Sequence, residues 1–264
     1  MSLAHMQIKD LLDENLKHQC DGYGPDKVCV RIAAIGELPS RFGDFHIFAF
    51  YNNREDKEHA AIVRGDVTGA EDVPVRVHSE CLTGDAIGSL RCDCRDQLET
   101  SLRYIGQQDK GIVIYMRQEG RGIGLINKIR AYGLQDHGYD TVQANLALGF
   151  RDDEREYGVA AHMLVSLKVK SIQLMTNNPK KIENLTQYGI KVNGRIPIII
   201  APNPYNEFYL HTKAEKSGHL LDSHGKQHLL EQGDLPIIEG MNAEEIARQH
   251  SEETRQQDAA ATPV

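Results

Sequence analysis

The hydrophobic rhythm of the chain changes near residue 95, and this change restricts the possible folds more than any other feature. Up to Glu80, apolar and polar residues alternate in short runs bounded by Gly, Pro, Asn and Asp, a pattern that predicts β-strands. From Asp96 onward, helical and strand-like segments take turns. We therefore predict an α+β fold in which a mostly antiparallel β region precedes an α/β layer. The early strands are predicted over residues 28–38, 44–52, 59–67 and 73–80.

The later elements and the two ends of the chain complete the predicted organisation. Pro179 and Gly189 bracket one helix, because Pro suits the first helical turn and Gly the position past the end. We expect residues 1–27 to be an appendage with a short helix over 8–18, residues 28–221 to be a single domain that closes with a helix over 206–221, and residues 222–264 to be a polar, mobile tail. The remaining predictions are helices over 96–108, 125–136, 154–167 and 179–189, and strands over 111–116, 171–178 and 190–200.

Composition excludes several classes of protein. The 264 residues carry a formal net charge of -8, so a general attraction to nucleic acid is not expected, and an anionic substrate would need a local basic cluster. The densest apolar stretch, residues 196–201, is far shorter than the roughly 18 residues of a membrane span. The amino terminus lacks the apolar core of a secretory signal. We expect a cytoplasmic protein that neither crosses a membrane nor binds nucleic acid.

Cys81, Cys92 and Cys94 form a C-x10-C-x-C pattern. Thiolates are good zinc ligands, and three cysteines this close suit a metal site in a reducing compartment. A structural zinc site normally has four protein ligands, so three cysteines with an open fourth position favour a catalytic ion. Two other interpretations remain at this point: a distant His completes a structural site, or the cysteines merely fill space.

The strand that leads into Cys81 has two different faces. Val73, Val75 and Val77 alternate with Arg76, His78 and Glu80, so the polar side chains share one side of the strand. An ordinary solvated face is the common explanation of such alternation. Because this strand leads directly into Cys81, we favour a functional role for its polar face instead.

The basic cluster that an anionic substrate requires lies in RQEGRGIGLINKIR, residues 117–130. Its glycines let the backbone approach a ligand closely, and the following helix can direct free amides at phosphate oxygens. The glycine spacing is neither a Walker loop nor a dinucleotide fingerprint, so alone it is weak support. The cluster consists of Arg117, Arg121, Lys128 and Arg130.

Two further polar stretches have an ordinary and a functional interpretation. The acids Asp152 to Glu154 precede a predicted helix, where they would cap it, but this does not explain Arg155. Thr176 ends a predicted strand, and Lys180 and Lys181 follow in a first helical turn, an unfavourable place for cations unless an anion is near. Surface lysines are the plain alternative.

Taken together, these segments resemble the GTP cyclohydrolase II family. The matching runs are RVHSECLTGD, SLRCDC, YMRQEGRGIGLINKIRAYGLQD, GYDT, TNNPKK and NPYNEFYLHTKAEKSGHLL, and the likeness covers residues 28–221. It implies a single catalytic domain, one zinc ion on Cys81, Cys92 and Cys94, and a homodimer. The implied reaction converts GTP to 2,5-diamino-6-ribosylamino-4(3H)-pyrimidinone 5′-phosphate, formate and pyrophosphate, the first committed step of riboflavin biosynthesis. Because the triphosphate is highly charged, we expect Mg²⁺ to accompany it.

The resemblance also implies roles for individual residues. Tyr132 matches the active-site tyrosine of the family, and its presence favours the complete reaction over one that stops at a formamide. The family mechanism makes Asp153 a proton acceptor and Arg155 the group that attacks the α-phosphorus. Because a guanidinium has a very high pKa, stabilisation of transition-state charge is an alternative role for Arg155. The implied GTP contacts are Arg76, Val77, His78, Ser79, Glu80, Gln97, Glu119, Gly120, Arg121, Thr141, Thr176 and Lys181.

Two alternative functions remain open from the sequence. A related enzyme could release only the formamide or accept another purine nucleotide. A structural zinc module in a nucleic-acid-binding protein is the rival from another class, and the charge of -8 argues against it.

Some members of the family are fused to a dihydroxybutanone phosphate synthase domain. The 27 residues before the first strand are too few for one, so we expect a monofunctional chain.

Overall fold

A computed structural model describes residues 5–18 and 21–206. Its centre is one seven-stranded mixed sheet, with the strands in the order β1-β2-β3-β5-β4-β6-β7. The predicted closing helix over 206–221 and the tail over 222–264 lie outside the described residues, apart from Asn206. The strands are β1 (Val30–Ser40), β2 (Gly43–Asn52), β3 (His59–Arg64), β4 (Val73–Ser79), β5 (Gly111–Met116), β6 (Ile172–Met175) and β7 (Val192–Ile196).

The sheet combines an antiparallel half with a parallel half, which confirms the α+β class. The antiparallel half contains β1, β2, β3 and β5, and in the parallel half β4 pairs with both β5 and β6, and β6 pairs with β7. The fourth early strand therefore does not pair with the third, because β5 lies between them. This insertion places the carboxyl ends of β4, β5 and β6 at one edge.

Helices cover both faces of the sheet. On one face, β4 contributes Val73, Val75 and Val77 to a large core that also holds residues of α1, α5 and α6. On the other face, Val113 of β5 packs with Tyr104 and Ile105 of α2 in a smaller core. The helices are α1 (His5–Leu16), α2 (Cys94–Gly106), α3 (Gly124–Asp136), α4 (Thr141–Ala147), α5 (Gly158–Ser166) and α6 (Pro179–Gln187). In the described part of the chain, none of them combines the length and apolar character that a membrane crossing requires.

Two helix predictions need correction. The helix predicted over 154–167 begins only at Gly158, so the acids 152–154 precede it by several residues and do not cap it. The short helix α4 was not predicted, because seven residues carry little apolar periodicity. The local signal for this helix was the capping box of Asp140 and Gln143. The Asp140 carboxylate accepts a hydrogen bond from the backbone N–H of Gln143, and the side-chain oxygen of Gln143 accepts one from the backbone N–H of Asp140.

The start of β1 is fixed by a buried histidine of α5. His162 Nδ1 accepts a hydrogen bond of 2.8 Å from Val30 N. Burial, helped by the nearby His18, lowers the pKa of His162 from its ordinary 6.5 to about 4. His162 is therefore neutral at pH 7, and it remains neutral in the folded chain under conditions where the unfolded chain has bound a proton.

This difference predicts a pH-dependent loss of stability. Between about pH 6.5 and pH 4 the unfolded state binds the proton and the folded state does not, so the free energy of unfolding falls as the pH falls. For one group the slope is at most about 1.4 kcal/mol per pH unit. In His162→Gln, whose amide oxygen can still accept from Val30 N, this slope should flatten in urea unfolding measured at pH 4 to 7. An unchanged slope would contradict the assignment.

Candidate active site

The candidate site is a cavity of about 480 Å³ at the carboxyl ends of β4, β5 and β6. In sheets with parallel strands this edge commonly binds ligands, because the loops that leave adjacent strands converge there. The predicted site residues whose side chains or backbone line the cavity are Arg76, His78, Ser79, Glu80, Cys81, Cys92, Cys94, Gln97, Glu119, Gly120, Arg121, Tyr132, Thr141, Arg155, Thr176 and Lys181.

The three cysteines converge at one end of the cavity. Cys81 follows β4, and Cys92 and Cys94 stand just before and at the start of α2. Their sulfur atoms lie within 4.8 Å of one another, and the Cys81 and Cys92 Sγ atoms are 3.6 Å apart. Two thiolates on one tetrahedral zinc at about 2.3 Å would be about 3.8 Å apart, so the spacing fits this ion.

Gly84 leaves the space that the sulfur atoms occupy. It lies in a single π-helical turn, Leu82–Ala86, directly after Cys81. A Cβ atom at this position would lie 2.8 Å from Cys92 Sγ and 3.1 Å from Cys81 Sγ. The turn can therefore close over the cluster only where a side chain is absent.

Hydrogen bonds and a buried cation favour one thiolate in the cluster. Hydrogen bonds from the Cys92 and Cys94 thiols, together with the Lys128 ammonium, lower the pKa of Cys81. The same contact with Cys81 raises the pKa of Cys92 to about 11 and raises that of Cys94. Burial opposes the charge of Lys128, but its hydrogen bond to Glu119 and the sulfur charge outweigh burial and raise the pKa of Lys128. A bound cation would displace the remaining thiol protons.

Tyr132 of α3 lies beside this cluster. Its hydroxyl is 3.1 Å from Thr83 Oγ1, and Thr83 Oγ1 is 3.7 Å from Cys81 Sγ. The Arg91 guanidinium lies 4.9 Å from the centre of the Tyr132 ring. Burial raises the pKa of Tyr132, so the phenol keeps its proton and can donate it.

Asp85 connects the polar face of β4 to the turn Leu82–Ala86, which we call the cysteine turn. Its carboxylate accepts from Cys81 N at 3.0 Å and from the Tyr115 hydroxyl at 2.8 Å, and it contacts His78 Nε2 at 3.0 Å. Burial lowers the pKa of His78 despite this carboxylate, so the ring is neutral and donates its Nε2 proton to Asp85. Of the polar residues on this face, Arg76 and His78 are thus buried and not solvated, whereas Glu80 is half-buried.

Arg76 adds a buried cation to the cavity lining. It donates to the carbonyl of Met175 at 3.0 Å and to Gln97 Oε1 at 2.6 Å, both of them neutral acceptors. Arg76 Nε is buried without a hydrogen-bond partner among the described residues. Burial lowers the pKa of Arg76 to about 10, which leaves it charged at neutral pH.

The two predicted lysines differ in environment. Lys180 is exposed, whereas Lys181 is buried and donates to the carbonyl of Val77 at 2.9 Å. The Asn178 side chain caps this helix by accepting from Lys180 N, and Thr176 Oγ1 accepts from Asn178 N at 3.0 Å. Surface exposure therefore accounts for Lys180 and not for Lys181.

The acids 152–154 each pair with an arginine. Asp152 pairs with Arg121, Glu154 pairs with the exposed Arg151, and Asp153 pairs with Arg155. Asp153 Oδ1 accepts from both Arg155 Nε, at 2.8 Å, and Arg155 N, at 3.0 Å. Burial raises the pKa of Asp153, but the Arg155 contacts outweigh this and lower it. The predicted capping role is wrong, and the pairing explains why Arg155 follows three acids.

Some predicted residues lie away from the cavity wall, and other residues were missed. Val77 belongs to the core, and only its carbonyl reaches toward the site by accepting from Lys181. Asp153 stands behind Arg155 and does not line the cavity. Asp85 was missed although it follows Cys81 by four residues, a spacing that lets a turn fold it back. Asp85 itself does not line the cavity, and the lining residues outside the prediction include Arg91, Gln135, Tyr139, Asn145, Asn177 and Asn178.

Comparisons with known proteins give a consistent result. The family model for GTP cyclohydrolase II matches residues 31–197. GTP cyclohydrolase-2 of Picrophilus torridus is 62% identical over 183 residues, which cover 69% of this chain and 95% of that protein. GTP cyclohydrolase-2 of Klebsiella pneumoniae is 54% identical over 190 residues, 72% of this chain and 95% of that protein. The riboflavin biosynthesis protein RibBA of Synechocystis is 52% identical over 83% of this chain but only 38% of its own length.

The crowding at Gly84 predicts that Gly84→Ala disrupts the cysteine cluster. The new methyl group would overlap Cys92 Sγ, so we expect at least a tenfold loss of metal affinity, measured by titrating metal-depleted protein with Zn²⁺. Gly133→Ala is the matched control, because a Cβ there meets nothing within 4 Å. The control should bind like the unaltered chain and gain up to about 1 kcal/mol of stability. Equal affinity of both variants would contradict the crowding argument.

Proposed function

Since the chain belongs to the GTP cyclohydrolase II family, whose members are hydrolases, we propose that it hydrolyses GTP to 2,5-diamino-6-ribosylamino-4(3H)-pyrimidinone 5′-phosphate, formate and pyrophosphate. The relatives support a place in riboflavin biosynthesis. The observation that carries the proposal is the arrangement of one cavity, which is lined by a three-thiol cluster at one end and by arginine and lysine side chains farther along. Ring opening of a purine nucleoside triphosphate needs a reactive centre for the ring. It also needs a cationic wall for the phosphates, formed here by the arginine and lysine side chains of the cavity.

We assign the thiol end to the ring-opening chemistry, with zinc on Cys81, Cys92 and Cys94. Zinc in such a site supplies Lewis acidity and lowers the pKa of a bound water to about 7. The Tyr132 hydroxyl lies beside this end, oriented by Thr83, and can donate a proton to a nitrogen of the opening ring. Gly84 leaves room for the three cysteine side chains beside the turn that follows Cys81.

We assign the cationic wall to the triphosphate. Arg121 and Arg155 are each fixed by an acid, Asp152 and Asp153, which orders the guanidinium groups before substrate binds. An arginine with a very high pKa whose Nε proton is donated to Asp153 is a poor nucleophile. The contact supports the alternative in which Arg155 stabilises charge at the α-phosphorus.

Four further assignments belong to the proposal. Mg²⁺ accompanies the triphosphate and shares its neutralisation with the basic side chains. The protein is cytoplasmic and forms a homodimer. The catalytic domain covers residues 28–221, with 1–27 as an appendage and 222–264 as a tail. The GTP contacts are Arg76, Val77 through its carbonyl, His78, Ser79, Glu80, Gln97, Glu119, Gly120, Arg121, Thr141, Thr176 and Lys181.

The direct test supplies GTP, Zn²⁺ and Mg²⁺ to the purified protein and follows formate, pyrophosphate and product mass together. The complete reaction gives formate and pyrophosphate in equal amounts. A formamide product without formate would favour the truncated reaction. Tight binding of single-stranded nucleic acid without GTP turnover would overturn the proposal in favour of a structural zinc module.

Cys92→Ser should abolish formate release, because serine is a poor ligand for zinc and its hydroxyl does not ionise at neutral pH. Cys29→Ser is the matched control, since Cys29 lies before β1 and outside the cavity. We expect a loss of at least 100-fold in formate release for the first variant and near-native rates for the second. Full activity of a zinc-depleted Cys92→Ser protein would disprove the zinc mechanism.

A further inference from the structure

Two buried, oppositely charged side chains lie against the cysteine cluster. The side chains of Lys128 and Glu119 are only 10% and 9% exposed, and Lys128 Nζ lies 2.7 Å from Glu119 Oε1. Burying an ion pair removes both charges from water at a cost of several kcal/mol per ion, so good geometry and further hydrogen bonds are needed to offset it. Both partners meet this condition through contacts with the cysteine segment.

The Glu119 carboxylate connects two loops. Its Oε2 accepts from Leu82 N at 2.7 Å, directly after Cys81, and its Oε1 accepts from Gly120 N at 2.9 Å as well as from Lys128. A carboxylate has about four acceptor positions, and three are filled here. Glu119 therefore joins the turn that follows Cys81 to the loop that precedes α3, and its carboxylate is largely committed to protein contacts.

Lys128 continues this connection to the sulfur. Its Nζ is 3.1 Å from Cys81 Sγ, which makes an N–H···S hydrogen bond from a cation to the thiolate. Lys128 is one helical turn into α3, so the position of its ammonium is fixed by the helix and by Glu119. Cys81 is thus held from both sides: its sulfur by Lys128, and its following peptide by Glu119.

We propose that Glu119 and Lys128 are a positioning pair that holds Cys81 in its metal-binding geometry. The carboxylate of Glu119 serves the site through this connection, so the GTP contact proposed for Glu119 is made by its backbone. The inference rests on the proposed metal at the three cysteines. It assigns to Lys128, which sequence analysis placed among the phosphate-binding cations, a role at the thiol end of the cavity.

Charge alone would give a different pattern of variant effects. Lys128→Met removes a positive charge near the cation and leaves Glu119 negative, which would strengthen zinc binding if only charge mattered. Glu119→Gln leaves Lys128 positive and would weaken it. Positioning predicts that both variants weaken zinc binding, because each breaks the same connection.

The test measures the zinc affinity of the metal-depleted full chain by competition with a chromophoric chelator. We expect Lys128→Met and Glu119→Gln each to weaken zinc binding about 10- to 100-fold, and the double variant to lose no more than the weaker-binding single variant. Arg130→Met, which removes an exposed charge from the same helix, should bind zinc like the unaltered chain. Effects of opposite sign, or affinities equal to that of Arg130→Met, would overturn the proposal.

A spectroscopic measurement separates the direct contact from a general loss of structure. With Co²⁺ in place of zinc, the sulfur-to-cobalt charge-transfer band should move to longer wavelength in Lys128→Met, because the sulfur loses a hydrogen bond to a cation. Lys128→Arg retains a cationic donor of similar size and should return the band toward its original position. A band that stays in place in Lys128→Met would contradict the N–H···S contact. If Lys128→Met does not fold, Lys128→Arg and Glu119→Gln still decide, because both nearly preserve side-chain volume.

The two levels of inference fail in distinguishable ways. The unaltered chain must first bind one zinc ion and release formate from GTP. If it does neither, the proposed function is wrong regardless of the variants. If it does both and Glu119→Gln binds zinc like the unaltered chain, only the positioning pair is wrong.

Discussion

The parallel pairing of β4 with both β5 and β6 is the constraint on which the rest of the site depends. It brings three strand ends to one edge, and the loops that leave them carry the cysteine turn, the segment from Glu119 and the Thr176 segment. Had β5 paired at the outer edge of the sheet, Glu119 could not reach the peptide after Cys81. The contact between these loops is therefore a consequence of strand order.

Strand order alone does not explain how the site tolerates so many buried charges. The large core on one face of β4 is apolar, whereas the other face buries Arg76 and His78. Each of these side chains has a specific acceptor: the Met175 carbonyl and Gln97 for Arg76, and Asp85 for His78. Buried polar groups with fixed partners resist reorientation, so the cavity wall is ordered before a ligand arrives.

The sequence was most informative where a pattern is local. Strand periodicity predicted β1 to β5 closely, and cysteine spacing together with family resemblance identified most of the cavity wall. Three features depended on contacts that helix and strand periodicity does not encode. The acids 152–154 look like caps but pair with arginines, Lys128 looks like a phosphate ligand but contacts sulfur, and Val77 belongs to a matching motif yet lies in the core. Asp152 lies 31 residues from Arg121 and Lys128 lies 47 residues from Cys81, so spacing could not reveal these pairs. The pairs Arg151–Glu154 and Asp153–Arg155 are local, but the sequence did not distinguish such pairing from helix capping.

The cationic side chains of the cavity differ in how strongly they can attract an anion, because their hydrogen-bond partners differ. Lys128 contacts a carboxylate and a sulfur, so these groups largely neutralise its positive charge within the protein. Arg76 donates to two neutral acceptors, and the charge of the nearby Asp93, which accepts from Gln97, offsets part of the charge of Arg76. In a site with little water, a guanidinium whose hydrogen bonds go to neutral acceptors attracts an anion more strongly than a cation held in a direct ion pair. Arg76 is therefore the better candidate for binding phosphate, and Lys128, although it lies in the basic cluster, belongs to the thiol end.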